Sequence, residues 1–242
     1  MMNRGSFLPC IVGSVLTSLA FLCAPSSQSE HLGSGIPKRD ETMIVREGYV
    51  AMWSDTTRTP AWVQYRLKPE YVAKSSAARP PFTANGDVKR SATNMDYTNT
   101  GWDRGHLFPY SDASRSRAVQ VESMELTNVV PQAPRLNRGG WMRLEAAIRN
   151  VAKESEDTYV ITVTAGYARS VGSGVSVPDR LAKIVAAKRD GKWRVCSLVC
   201  DNADDSEIRI TSLAEVERQS GWEFLDKIVY EPVDSLEKLC VE

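Results

Sequence analysis

Apolar positions along the chain follow three patterns. The first is continuous. "FLPCIVGSVLTSLAFLC" at residues 7–23 comes after a short head carrying Arg4 and before small and polar residues, which is the layout of an export signal. An uncleaved membrane anchor is the alternative, because the run approaches the roughly 18 to 20 apolar residues that a spanning helix needs. Pro9, Gly13, Ser14, Thr17 and Ser18 dilute it. A mitochondrial presequence, the third reading, would normally carry more arginine and more amphipathic spacing. Residues 1–29 are read as a signal peptide. The Ser- and Gly-rich stretch that follows, 30–42, reads as a linker in which His31 is a solvated bystander.

The second pattern is that of strands. "REGYVAMWSDTTRTPAWVQYRL" reads as two β-rich runs around a polar turn that includes Pro60, and "TYVITVTA" at 158–165 as a buried strand. "KIVAAKRDGKWRVCSLVC" reads as a second hairpin, with Asp190-Gly191 supplying the positive φ angles of a tight turn. The third pattern is helical. After Pro134, Leu136, Trp141, Leu144, Ile148 and Val151 recur at helical spacing, and "SLAEVERQSGWEFL" opens on Ser212 with Glu215 three residues on, a capping-box signature. No break in composition divides 43–242, so strands and inserted helices predict one α+β domain with a central, mainly antiparallel sheet flanked by helices.

Charge sharpens this only when it is divided along the chain. Lysine and arginine total 30, as do aspartate and glutamate, but residues 201–242 hold 12 acidic and 4 basic side chains, which leaves the preceding part net basic. Such a body can bind nucleic acid locally while the whole stays soluble; scattered solvated charge accounts for the same counts. With the signal removed, Cys196, Cys200 and Cys240 remain. In an oxidising compartment Cys240 could pair with either of the other two, and buried thiols on a strand fit the spacing equally well. Cys-x3-Cys without nearby histidine is a poor zinc pattern.

Two places carry candidate chemistry. On the central helix Asn137, Trp141, Glu145 and Arg149 follow at intervals of four, so an amide, a carboxylate and a guanidinium share one stripe. A plain amphipathic helix with an exposed Glu145–Arg149 pair would fit too. Gly139-Gly140 weakens that helix by roughly 1 to 2 kcal/mol, a cost that predicts a close approach there. The other place is "TGWDRGHLFP" at 100–109, where His106 follows an arginine suited to forking onto phosphate and a glycine that lets backbone come near.

Together, Asp103-Arg104-Gly105-His106, "TNVVPQAPRLN" at 127–137 and "WMRLE" at 141–145 resemble the DNA/RNA non-specific endonuclease family of ββα-metal nucleases. That family carries D-R-G-H, then N-x-x-P-Q, then N-x-x-x-W-x-x-x-E. The likeness extends through "ARPPF", "VPDRLAKIV" and "EVERQSGWEFL" and covers nearly all of 43–225. It implies a ββα-metal fold and a Mg²⁺-dependent endonuclease, other divalent cations such as Mn²⁺ serving as well, that hydrolyses DNA and RNA to 5′-phosphorylated products. His106 would be the general base, Asn137 the direct metal ligand, and Glu145 would reach the ion through water. Arg79, Arg104 and Arg149 would contact phosphate, Arg104 also assisting catalysis. Asn128 would position substrate or base, and Asp103 would orient its motif through a salt bridge. The chain departs from the pattern at "TAGYA", where many members have Thr-Gly-Pro, and at Pro80-Pro81 beside Arg79.

The partners so implied are DNA and RNA, held through backbone phosphates, with a membrane only if the first segment is an anchor; a homodimer is compatible with the sequence. Export, periplasmic or extracellular, is the expected destination, with the mitochondrial intermembrane space as alternative. Two rival functions remain: a catalytically silent nucleic-acid-binding or toxin-like module, and a serine hydrolase using "SVGSGVS" with His106. The latter lacks the G-x-S-x-G elbow.

Overall fold

Alternating apolar runs build the centre of the molecule. The computed structural model describes residues 30–34, 42–72 and 78–240, so the apolar segment at 7–23 lies outside it. One sheet holds, in spatial order, β1 (Thr42–Val45), β2 (Val50–Ser54), β3 (Thr59–Arg66), β6 (Asp157–Ala165), β9 (Arg180–Arg189), β10 (Lys192–Asp201) and β11 (Arg209–Thr211). Every one of these neighbours is antiparallel; only β12 (Tyr230–Pro232) runs parallel, beside β10. Asp190 and Gly191 take φ of 49° and 73° at the β9–β10 turn, as their sequence requires.

Pro60 departs from expectation. It lies within β3 opposite Trp53, where the β2–β3 register shifts between Met52 and Trp53. That irregularity fits a residue with no N–H to give a ladder. The turn itself is closed by Arg58 at φ 56°.

Period-two alternation divides the sheet into two apolar faces. Trp62, Ile161, Val163 and Ile184 meet Val216, Trp222 and Phe224 on one side, while Val63, Tyr65, Val160, Leu181 and Val185 meet Phe108, Trp141, Leu144 and Ile148 on the other. The helix of the first side, Leu213–Ser220, is capped as expected by Ser212, whose Oγ accepts from the Glu215 amide at 3.1 Å. The reciprocal half of the box is missing, because the Glu215 carboxylate bonds Arg218 instead.

Residues 30–34 are not a free lead-in, and His31 is not a solvated bystander. His31 is 0% exposed. Its Nδ1 accepts from the Arg66 amide at 3.2 Å, so Nε2 carries the proton and donates to the Glu47 carbonyl at 2.7 Å. Gln64 Nε2 binds the His31 carbonyl and Ser34 Oγ, both at 2.7 Å. Cys196, Cys200 and Cys240 are all unpaired, the first two buried on β10. Burial pushes their thiols up to about 11 and about 12.

Candidate active site

Two short strands and a helix frame the site. β4 (Asp103–His106) pairs antiparallel with β5 (Val129–Gln132), Asp103 facing Gln132 and His106 facing Val129. Gly105 is required there: a Cβ would come within 2.5 Å of the Gln132 Cβ. From β5 the chain enters the central helix, which opens at Pro134–Leu136, widens to a π-turn over Asn137–Trp141 and continues as α-helix over Met142–Glu154. Asn202 fixes this junction, its Oδ1 accepting from the Ala133 amide and its Nδ2 donating to the Pro131 and Pro178 carbonyls. The Gly139-Gly140 pair falls inside the π-turn. A Cβ at either would meet protein only at 3.6 Å or beyond, so the expected close approach by protein does not occur; the pair coincides with the wide turn.

Between the strand pair and the helix lies a cavity of about 460 Å³ lined by Arg79, Arg104, His106, Asn137, Glu145 and Arg149, among others. Sequence spacing thus brought six of seven expected side chains together. A larger cavity of about 660 Å³, between the outer face of the central helix and the tail near Cys240, contains no histidine and none of the motif residues, so its size does not make it the reactive centre.

The environment of each group follows from its contacts. His106 Nε2 lies 3.3 Å from Met124 Sδ and its ring packs on Phe82 at 5.1 Å, while Nδ1 makes no hydrogen bond to a described residue. Burial, aided by the charge of Arg79, pulls its pKa down to about 3, so the ring is neutral at neutral pH. Asp103 Oδ2 accepts from Asn137 Nδ2 at 2.9 Å and from Arg138 Nε at 2.7 Å. The Asn137 amide therefore keeps its oxygen for other partners. Against its burial, Arg138 and Asn137 hold Asp103 below the usual carboxylate range. Burial drives Glu145 up to about 7, opposed chiefly by Lys183. Arg149 is tied to buried Asp112 at 2.9 Å, and Asp112 in turn accepts from Tyr65 Oη. Arg104 lies over the rings of Tyr97 and Phe82, and Arg79, exposed, over Tyr110.

Asn128 is the exception. It is 0% exposed, its Oδ1 accepts from the Phe108 amide, and its Nδ2 donates to the Phe108 and Ser123 carbonyls. Both amide hydrogens are spent, and burial keeps the side chain from direct contact with substrate. Its backbone oxygen also takes the Leu107 N–H, so Asn128 clamps the chain immediately after His106. Asp112 and Lys183 were missed, because their partners are scattered along the chain and no motif spacing marks them.

The family model for DNA/RNA non-specific endonucleases matches residues 26–231. The chain belongs to the DNA/RNA non-specific endonuclease family. It is 26% identical to the mitochondrial nuclease EXOG of Danio rerio, over 86% of this chain and 71% of that protein. It is 28% identical to the mitochondrial endonuclease G of Homo sapiens, over 76% and 69%, and 28% identical to nuclease C1 of Cunninghamella echinulata var. echinulata, over 90% and 94%. A crystal structure of an EndoG/EndoGI complex superposes with a TM-score of 0.81 at 26% identity, covering 87% of this chain and 97% of that one. The chain is thus a nuclease of the non-specific endonuclease family, with the α+β fold expected of it.

This endonuclease family implies a divalent cation, and the donor set fits one. Among the described residues no three His, Cys, Asp or Glu side chains gather as metal ligands. An amide oxygen turned from Asp103 and a nearby carboxylate are hard donors, suited to an ion that keeps most of its water.

Proposed function

We propose that this nuclease is a Mg²⁺-dependent, sugar-non-specific phosphodiesterase in which His106 is the general base. The observation that carries this reading is the placement of His106, which lines the same cavity as Asn137 with no hydrogen bond from Nδ1 to a described residue; burial favours the neutral ring. Water loses a proton to His106 as its oxygen bonds phosphorus in line; the P–O3′ bond breaks, leaving the phosphate on the 5′ side. Arg79, Arg104 and Arg149 bind the phosphate oxygens and disperse their charge. An arriving phosphate also offsets the Arg79 charge that suppresses the imidazole, so basicity rises when substrate is in place. Asn137 would hold Mg²⁺ directly and Glu145 through water; bound there, the ion supplies positive charge for the leaving 3′ oxygen.

Contacts confined to phosphates read no sequence, so binding to DNA and RNA alike should weaken steeply with salt. The test is nicking of plasmid DNA and cleavage of RNA with Mg²⁺, with and without chelator. Cleavage of both that stops with chelator is expected. Binding without cleavage would establish the silent module instead. For location, export remains the reading of residues 1–29, while the relatives named mitochondrial support a mitochondrial location; fractionation of tagged full-length protein decides between them.

A further inference from the structure

Strand β9 places a lysine where its alternation calls for an apolar residue. Lys183 lies between Leu181 and Val185 on the face turned toward the site, and it is 0% exposed. A buried ammonium is costly unless it is compensated. Its Nζ forms no salt bridge with a described residue. It donates instead to Thr162 Oγ1 at 2.8 Å and sits 5.0 Å from the centre of the Trp141 ring. Thr162 Oγ1 passes the bond on, donating to the Leu107 carbonyl at 2.8 Å. The Leu107 amide meanwhile donates to the Asn128 carbonyl, so the residue that follows His106 is held at both its N–H and its carbonyl. The charges facing Lys183 are Glu145 and Asp112, with Arg149 opposing them.

Lys183 therefore touches both halves of the site: the end of the His106 strand through Thr162, and the helix carrying Asn137 and Glu145 through the ring of Trp141. We propose that Lys183 is a positioning residue that sets the His106 strand against the Asn137–Glu145 helix. The proposal rests on the nuclease reading for its kinetic consequence, but its geometric consequence does not.

Lys183→Met keeps most of the length and removes the donor and the charge. Lys183 has no ion pair with a described residue, so its removal strands no directly bonded carboxylate, and the folded protein is the expected outcome. Turnover on plasmid DNA should fall about tenfold or more, the usual scale for loss of an outer-shell partner, while KM stays within about twofold of wild type. The chain has only two histidines, which permits a readout besides activity. In ¹H–¹⁵N spectra of the imidazoles His106 should shift, and His31, on the strap, should not. Thr162→Val breaks the same relay with less change and should shift His106 in the same sense with a smaller fall in turnover. Wild-type turnover and an unmoved His106 signal in folded Lys183→Met overturn the proposal. If that variant does not fold, the same pair of results in Thr162→Val overturns it. Should the wild-type protein cleave nothing, the nuclease reading fails, and the His106 signal alone still decides the role of Lys183.

Discussion

The two histidines make a controlled comparison. His31 is buried and His106 half-buried at the wall of a cavity, and burial lowers the pKa of each. His31 spends both ring nitrogens on backbone, the Arg66 amide and the Glu47 carbonyl, and so fastens residues 30–34 to the body. His106 has a thioether at Nε2, no described partner at Nδ1, and a cavity lined by four arginines in front of it. Rarity and a lowered pKa do not distinguish them; unspent hydrogen-bonding capacity beside a cavity does. A base needs a nitrogen that the fold has left free, and a fastening needs the opposite.

The largest expected effect tests the cavity that distinguishes His106. Asn137→Ala removes the one amide oxygen that Asp103 leaves for an ion, so cleavage should be nearly abolished at any practical Mg²⁺ concentration. Glu145→Ala should lose about 10- to 100-fold, as outer-shell partners do, and recover partly at high Mg²⁺. A titration in which Glu145→Ala is the more inactive of the two, without recovery, would reverse the inner and outer roles.

Next comes the comparison itself. His106→Ala should lower turnover by about 10²-fold or more, the scale of a lost general base, with DNA binding and melting temperature close to wild type. His31→Ala should do the converse. It leaves the Arg66 amide unpaired and the Glu47 carbonyl with Arg115 alone, a loss of about 1 to 3 kcal/mol in urea unfolding, while turnover of the folded fraction stays within about twofold. Equal loss of turnover in both variants would mean that the strap, and not a free nitrogen, matters to catalysis.

How much of this could be read from the sequence depends on how far apart the partners lie. The β9–β10 hairpin was legible because its turn is written in adjacent residues, Asp190 and Gly191. The helical stripe was legible because four-residue spacing survives the π-turn well enough that Asn137, Glu145 and Arg149 still line one cavity. For Asn128 the motif position was visible but not which of its two expected roles it takes, because its three hydrogen bonds go to residues 5 and 20 positions away. Nothing local announces such a clamp. His31 was misread for the same reason, since the groups it fastens come from 16 and 35 residues downstream. Lys183 sits in an ordinary-looking strand, and its relay closes through Thr162 and Leu107, brought near only by the sheet.

The smallest effect is on stability, and its sign follows from the lowered pKa values. An unfolded histidine takes up its proton near pH 6.5, whereas folded His106 refuses one until about pH 3. Between those values the unfolded state holds the extra proton, so the contribution of neutral His106 is full above about pH 6.5 and is lost as pH falls toward 3. His31 acts in the same direction over a window that also begins at about pH 6.5. Glu145 acts oppositely: raised to about 7 by burial, it binds its proton in the folded state first and adds stability as pH drops below 7. The readout is therefore a difference. Urea unfolding of metal-free wild type and His106→Gln between pH 7 and 5 should show the variant gaining on wild type as the solution is acidified, by at most about 1.4 kcal/mol per pH unit. His31→Gln should gain in the same sense, from a lower starting stability because its two backbone partners have lost the ring. A His106→Gln difference that stays flat across this range would mean that the ring is not held neutral in the folded protein, and the contrast between a spent and an unspent histidine would lose its electrostatic half.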